Sequence, residues 1–249
     1  MPDLKRNLRI LLEYDGTRYQ GWQKQKHTQD TIQQVLEAAL QKLFKQKIAV
    51  YSSGRTDAGV HALNQTANFI VSTKIPNKRI LLGVNAFLPK DIVVKKVTDA
   101  PSSFHSRFSC RYKTYRYAIV NRHYHAALAR HYSYLYPWKL DLEFMRKESK
   151  ALIGRHDFRS FCSSNTLKQN CVRTIKKIAI TKDKDKVYID VQADGFLYNM
   201  VRSIVGTLLL AGRGKLKRGR LLEILKSKDR KKAGPVVPAK GLCLIREQY

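Results

Sequence analysis

Gly54-Arg55-Thr56-Asp57-Ala58-Gly59-Val60-His61-Ala62 stands between two β-like runs, residues 48–53 and 65–71. The nine residues follow neither the helical nor the strand period. They put a carboxylate, a guanidinium and an imidazole beside two glycines. A loop between strands is where a rigid scaffold usually presents its working groups. Asp57-Ala58-Gly59 also suits a plain turn, because Asp bonds to nearby backbone and Gly accepts unusual dihedrals. Spacing alone leaves both readings open.

Working outward, residues 7–14 (NLRILLEY) read as a strand that ends in a turn at Asp15-Gly16-Thr17. Residues 31–46 read as a helix, with Ile32, Val35, Leu36, Ala39, Leu40, Leu43 and Phe44 on one stripe. Thr31 and Gln34 have capping-box spacing. A second helix is expected over residues 78–88, stopped by Pro89, and a strand over 92–98. Pro101-Ser102-Ser103 marks a joint, after which the pattern starts again. Residues 110–120 alternate as a strand, and 121–137 form an irregular basic and aromatic loop. Residues 140–153 read as a helix capped at Gly154. A hairpin over Asp183-Lys184-Asp185 joins 174–181 to 187–193. An apolar helix (198–211), a basic helix (218–227) and a last strand (241–247) follow. The expected class is α+β: two ferredoxin-like β-α-β-β-α-β halves, residues 1–104 and 105–249, the second with one added helix.

The charge is unusual. Among 249 residues, 48 Lys and Arg face 19 Asp and Glu, a formal net charge of +29. Such an excess repels itself in a compact chain and calls for a polyanionic partner. Nucleic acid comes first and an anionic membrane surface second. No apolar run is long enough to span a bilayer. Residues 1–9 lack the apolar core of an export signal, so a cytoplasmic location is expected. Cys110, Cys162, Cys171 and Cys243 contain no Cys-x-x-Cys pair, and no metal site is expected. Cys162 and Cys171 could approach one another but should stay reduced in an unexported protein. His123 and His125 flank Tyr124 in what reads as a polar loop.

Other residues stand out by chemistry. Arg111, Lys113, Tyr115 and Tyr117 share one strand face by period two, a mixture suited to phosphate and base contact. Arg202 interrupts an apolar helix, where an arginine needs a partner. Arg213, Lys215, Lys217, Arg218 and Arg220 form one basic run; Lys226, Lys228, Arg230, Lys231 and Lys232 form another.

Gly54 to His61 also resembles the signature of the tRNA pseudouridine synthase A family. The resemblance continues in family order through Tyr14-Asp15-Gly16, Gly21-Trp22-Gln23, Asn85-Ala86, Phe104-His105-Ser106-Arg107-Phe108 and Tyr115-Arg116-Tyr117. It extends through Asp157-Phe158-Arg159-Ser160-Phe161, Met200 to Gly206, and Pro238-Ala239-Lys240-Gly241-Leu242. It implies a pseudouridine synthase fold whose mainly antiparallel sheets meet across a basic central cleft. It makes Asp57 the catalytic carboxylate. Tyr115 becomes the active-site tyrosine that stacks on the target base, with a part in removing the C5 proton left open. Arg202 becomes the partner of Asp57, and Arg55 fills the space left by a flipped uridine. Asp157, Phe158, Phe161, Gly241 and Leu242 read as structural. The implied substrate is tRNA, on the 3′ side of the anticodon loop and the adjoining stem. The implied assembly is a homodimer. No cofactor is expected, since isomerisation of uridine involves no redox step and no group donor. A synthase acting on another RNA, or a non-catalytic RNA-binding or ribosome-associated protein, remains the alternative. Mere binding does not need a carboxylate facing phosphate.

Overall fold

Alternation along the first strand decides which side meets the helices. In the computed structural model, which describes residues 5–163 and 170–249, β1 (Lys5–Tyr14) buries Leu8, Ile10, Leu12 and Tyr14. Residues 1–4 of the stretch read for an export signal lie outside the described residues. α1 (Ile32–Phe44) begins at Thr31, whose hydroxyl accepts from the Gln34 N–H at 3.3 Å and donates to Gln34 Oε1 at 2.7 Å. Lys45, in the left-handed region at φ 54°, ends it. Ile32, Leu36, Ala39, Leu40 and Phe44 are buried as the stripe requires, each large one contributing about 1.5–3 kcal/mol.

The strand expected over residues 48–53 shrinks to β2 (Tyr51–Ser52). Ile48 and Val50 are buried, but the Val50 N–H donates to the Glu37 carboxylate at 3.1 Å instead of to a neighbouring strand. β3 (His61–Ser72) starts earlier than expected, so His61 and Ala62 belong to the strand and not to the loop. α2 (Asn77–Phe87) lies so close to α1 that a Cβ on Gly83 would stand 2.7 Å from Leu43 Cδ1. The Asn85 side chain makes two 2.8 Å hydrogen bonds to the backbone of Val94, tying α2 to β4 (Ile92–Ala100). The strands run in the order β4-β1-β3, antiparallel throughout, with β2 also on β3.

The second run of elements is β5 (Tyr112–Val120), β6 (Tyr134–Leu135), α3 (Leu142–Ser149), β7 (Gly154–Asp157), β8 (Val172–Asp183) and β9 (Lys186–Ala193). It ends with α4 (Met200–Gly212), α5 (Arg220–Ser227) and β10 (Leu242–Gln248). The order β5-β9-β8-β7 is antiparallel; β6, inside the stretch read as irregular, pairs parallel with β5. The helix expected over 140–153 is shorter and passes into a 3₁₀ turn, Lys150–Leu152. Gly154, at φ 111°, opens β7 where a cap alone was expected. Buried Glu148 accepts from the Gly219 N–H at 2.8 Å and the Leu221 N–H at 3.4 Å, meeting the positive end of α5.

Two compact units result. The first runs to Arg111 and includes Leu244–Tyr249; the second is Tyr112–Cys243. The class is α+β with mostly antiparallel strand pairing, as the sequence indicates.

Candidate active site

The loop Gly54–Val60 is held by its surroundings more than by itself. Its one internal backbone bond runs from the Val60 N–H to the Asp57 carbonyl at 3.1 Å, with Gly59 at φ 76° as a type II turn demands. The Thr56 carbonyl accepts from the Trp22 N–H at 3.0 Å, and the Gly59 N–H donates to the Tyr19 carbonyl at 3.2 Å. Beneath them the Tyr14 hydroxyl donates to Gln65 Oε1 at 2.6 Å, which leaves Thr56 Oγ1, 2.8 Å away, to donate to Tyr14. Gln65 Nε2 then donates to the Gly54 carbonyl at 2.9 Å. Downstream, Glu247 binds both the Ser53 hydroxyl and, at 2.8 Å, the Thr66 N–H. Thr56 and Val60 are buried, Asp57 is half-buried, and Arg55 and Ala58 are exposed. The loop therefore presents its carboxylate from a fixed backbone.

Two glycines make this approach possible. A Cβ on Gly16 would lie 2.0 Å from the Val60 carbonyl oxygen; one on Gly21 would lie 2.6 Å from that of Thr56. Tyr14-Asp15-Gly16 and Gly21-Trp22-Gln23 are thus the cradle of the Asp57 loop, a role that their sequence spacing did not reveal. His61 is buried, its Nδ1 3.1 Å from both the Gly16 N–H and an Asp15 carboxylate oxygen. Gly16→Ala should lower stability by about 1–3 kcal/mol, the usual range for overpacking. It should also depress activity in the protein that remains folded, because Val60 must move. Thermal melting beside an activity assay at low temperature checks this; a variant matching the wild type in both would show that the cradle has slack.

In the second unit, Tyr115 on β5 is 7% exposed and meets Phe196 edge-on at 5.2 Å. Tyr117 is fully buried, and its hydroxyl donates to the Pro238 carbonyl at 2.8 Å. Burial, relieved in part by the charge of Arg202, pushes the Tyr117 phenol well above its ordinary value. A Cβ on Gly241 would strike the Tyr117 ring at 2.6 Å. The expected face of Arg111, Lys113, Tyr115 and Tyr117 is therefore narrower than its period suggests. It passes from exposed Arg111 to core at Tyr117, because Pro238-Ala239-Lys240-Gly241 packs over its inner end.

Arg202 lies on the first turn of α4. Its Nε donates to the Val237 carbonyl and its Nη1 to Asn199 Oδ1, both at 2.7 Å. Asn199 precedes the helix at φ 61°, and its Nδ2 donates to Ser163 Oγ at 2.8 Å. Asn tolerates the left-handed region because its short polar side chain bonds locally. Val237 comes within reach because Gly206 lets the chain lie against α4: a Cβ there would be 1.9 Å from the Pro235 carbonyl oxygen. Asn199 and Val237 were not distinguishable in the sequence; only a left-handed Asn at a helix start would have marked the first.

Lys215, Lys217 and Arg218 are exposed, and among the described residues no carboxylate pairs with them. Cys162 and Cys171 are buried thiols; burial and the neighbouring Cys171 push Cys162 up to about 11. Among the described residues no group of three or more His, Cys, Asp or Glu could hold a metal ion, and no helix is long and apolar enough to cross a membrane.

Comparison with known proteins gives these arrangements a context. A family model described as tRNA pseudouridine synthase matches residues 10–109 and 149–249. The chain is 45% identical to a tRNA pseudouridine synthase A of Thermoanaerobacter sp. (strain X514), over 98% of this chain and all of that one. It is 47% identical to the protein of the same name from Clostridium acetobutylicum, with the same coverage. It is also 47% identical to tRNA pseudouridine synthase A 2 of Clostridium tetani, over 97% of this chain and 98% of that one. Matched along both the Asp57 loop and the Arg202 helix, the chain belongs to the tRNA pseudouridine synthase family.

Proposed function

We propose that this protein isomerises uridine to pseudouridine in tRNA, in the anticodon stem-loop, with Asp57 as the catalytic carboxylate. The observation that carries the reading is the cradled loop: Tyr19 and Trp22 bond to the backbone from which Asp57 projects, Tyr14 bonds to the Thr56 hydroxyl, and Gly16 and Gly21 leave room for the close approach. A turn needed only for chain reversal would not need that support. In the reaction the C1′–N1 bond breaks, the base turns, and a C1′–C5 bond forms. C5 gives up its proton and N1 gains one, so nothing enters or leaves overall. The carboxylate serves as nucleophile or base.

The remaining site residues fit this reading. Tyr115, held edge-on by Phe196, offers a ring for stacking on the target base. Arg202, aimed by Val237 and Asn199, keeps Asp57 ionised and oriented. Exposed Arg55, on the same loop as Asp57, takes the place of the base that leaves its stack. The order β4-β1-β3-β2 and the β-α-β-β-α-β run of the first unit support ferredoxin-like halves, one bearing the Asp57 loop and the other Tyr115 and Arg202. A basic cleft and a homodimer follow from the resemblance, the cleft in keeping with a net charge of +29, and a cytoplasmic location from the lack of an apolar signal core in residues 1–9.

The test is tritium release from an unmodified tRNA pool labelled at uridine C5, with the modified positions mapped. Release confined to the anticodon arm supports the proposal; tRNA binding without release makes the protein a binder only. Binding should depend steeply on salt. If about six phosphates are contacted, affinity falls roughly as the fifth power of salt concentration. A titration showing no such slope would remove electrostatics as the source of affinity.

A further inference from the structure

Phe104-His105-Ser106-Arg107-Phe108 is left without a role by the site just described, yet it is built with care. Ser106 is fully buried. Its N–H donates to Asn68 Oδ1 at 2.9 Å and its hydroxyl to the Tyr51 carbonyl at 3.0 Å; its carbonyl accepts from the Tyr249 hydroxyl at 3.1 Å. Asn68 is held in turn by Asn7, at 2.9 Å. The His105 ring accepts from the Arg107 N–H at 3.1 Å, so the turn is fixed on both sides of Ser106.

What this fixed turn displays is a row of rings. Tyr51 and His105 stand 5.1 Å apart, and His105 and Phe108 4.5 Å apart. Phe108 is 78% exposed and Tyr51 46% exposed. The Arg107 guanidinium lies 5.8 Å over the Phe108 ring, and no carboxylate among the described residues pairs with it. A phenylalanine this exposed on a rigid mount costs solvation and gives the folded chain little in return. Aromatic faces beside a free cation suit nucleobases and their phosphates. The row is also close to the candidate site along the chain. Tyr51 precedes Asp57 by six residues, at most about 20 Å when extended.

We propose that Phe108, with His105 and Tyr51 behind it and Arg107 at its side, is a stacking platform for an unpaired nucleotide of the tRNA flanking the target uridine. The inference rests on the reading of the Asp57 loop as the site of uridine isomerisation. Stacking supplies affinity without charge, and Arg107 supplies one phosphate contact.

The experiment measures Kd of the full-length protein for unmodified tRNA across a salt series. Phe108→Ala should weaken binding about tenfold with the salt slope unchanged. Phe108→Trp should stay within about threefold of the wild type. Arg107→Gln should reduce the slope by about one. In a second arm, p-benzoylphenylalanine at position 108 should crosslink to labelled tRNA on irradiation, which keeps the question open to measurement if an alanine variant folds poorly. Unchanged affinity of Phe108→Ala, or no RNA adduct from a folded crosslinking variant, overturns the platform. So does a change in oligomeric mass without a change in Kd, which would make the ring a contact between copies. The two readings fail separately. Absence of pseudouridine in the wild type removes the function, whereas a flat Phe108 result with pseudouridine formed removes only the platform.

Discussion

Asp57→Asn should bind tRNA with wild-type affinity and release no tritium from uridine C5. The substitution keeps size and most hydrogen-bonding capacity while removing charge and basicity. The turn does not depend on the carboxylate, because the bond that closes it runs from the Val60 N–H to the Asp57 backbone carbonyl. The ties through Thr56, Gly59 and Gly54 are likewise independent of the side chain at 57. Asn suits the same backbone, so the variant should fold. Affinity comes chiefly from Lys and Arg contacts to phosphate, which remain. A group that acts as nucleophile or base within a cooperating site is worth about four orders of magnitude or more in turnover. Tritium release and a binding titration on one preparation separate the two effects. Release near the wild-type rate would return Asp57 to the role of a turn residue.

Arg202→Met should fold and lose most of its turnover. Methionine suits a position flanked by Met200, Val201 and Ile204 on an apolar helix, so packing is little disturbed. What goes is a guanidinium already oriented by two hydrogen bonds, to Val237 and Asn199. Loss of a charge-assisted contact costs about 1.5–3 kcal/mol, or roughly tenfold to a hundredfold and more in rate. Arg202→Lys keeps the charge but not the planar fork, and should recover only part of the loss. Single-turnover rates for the three proteins give the comparison. Wild-type turnover in a folded methionine variant would make Arg202 an ordinary helix residue.

Much of the first unit was legible in the sequence because its signals are local. The stripe from Ile32 to Phe44 and the cap at Thr31 concern neighbouring residues, and α1 forms where they place it. The strand over residues 48–53 misled because Ile48 and Val50 are indeed buried. Burial says nothing about where a backbone N–H goes, and that of Val50 goes to a helix side chain. The Asp57 loop was legible as a motif but not as a construction. Gly16 looks like a turn residue, and only the proximity of Val60 and Thr56 shows what a side chain at Gly16 or Gly21 would obstruct. The Arg202 setting was half legible: an arginine on an apolar helix asks for acceptors. Sequence distance hides them, since Val237 is 35 residues away.

The first unit takes residues 244–249 from beyond the whole of the second. Glu247 reaches Thr66 across 181 positions of sequence. During translation, then, the segment through Arg111 leaves the ribosome without the carboxylate that holds Ser53 and Thr66. Closing so long a loop is costly in entropy and slow. The order of synthesis therefore delays completion of the Asp57 loop's support until the intervening residues 112–243 have been made. A nascent chain stopped short of Glu247 would expose a basic surface to RNA with the mount of its carboxylate unfinished.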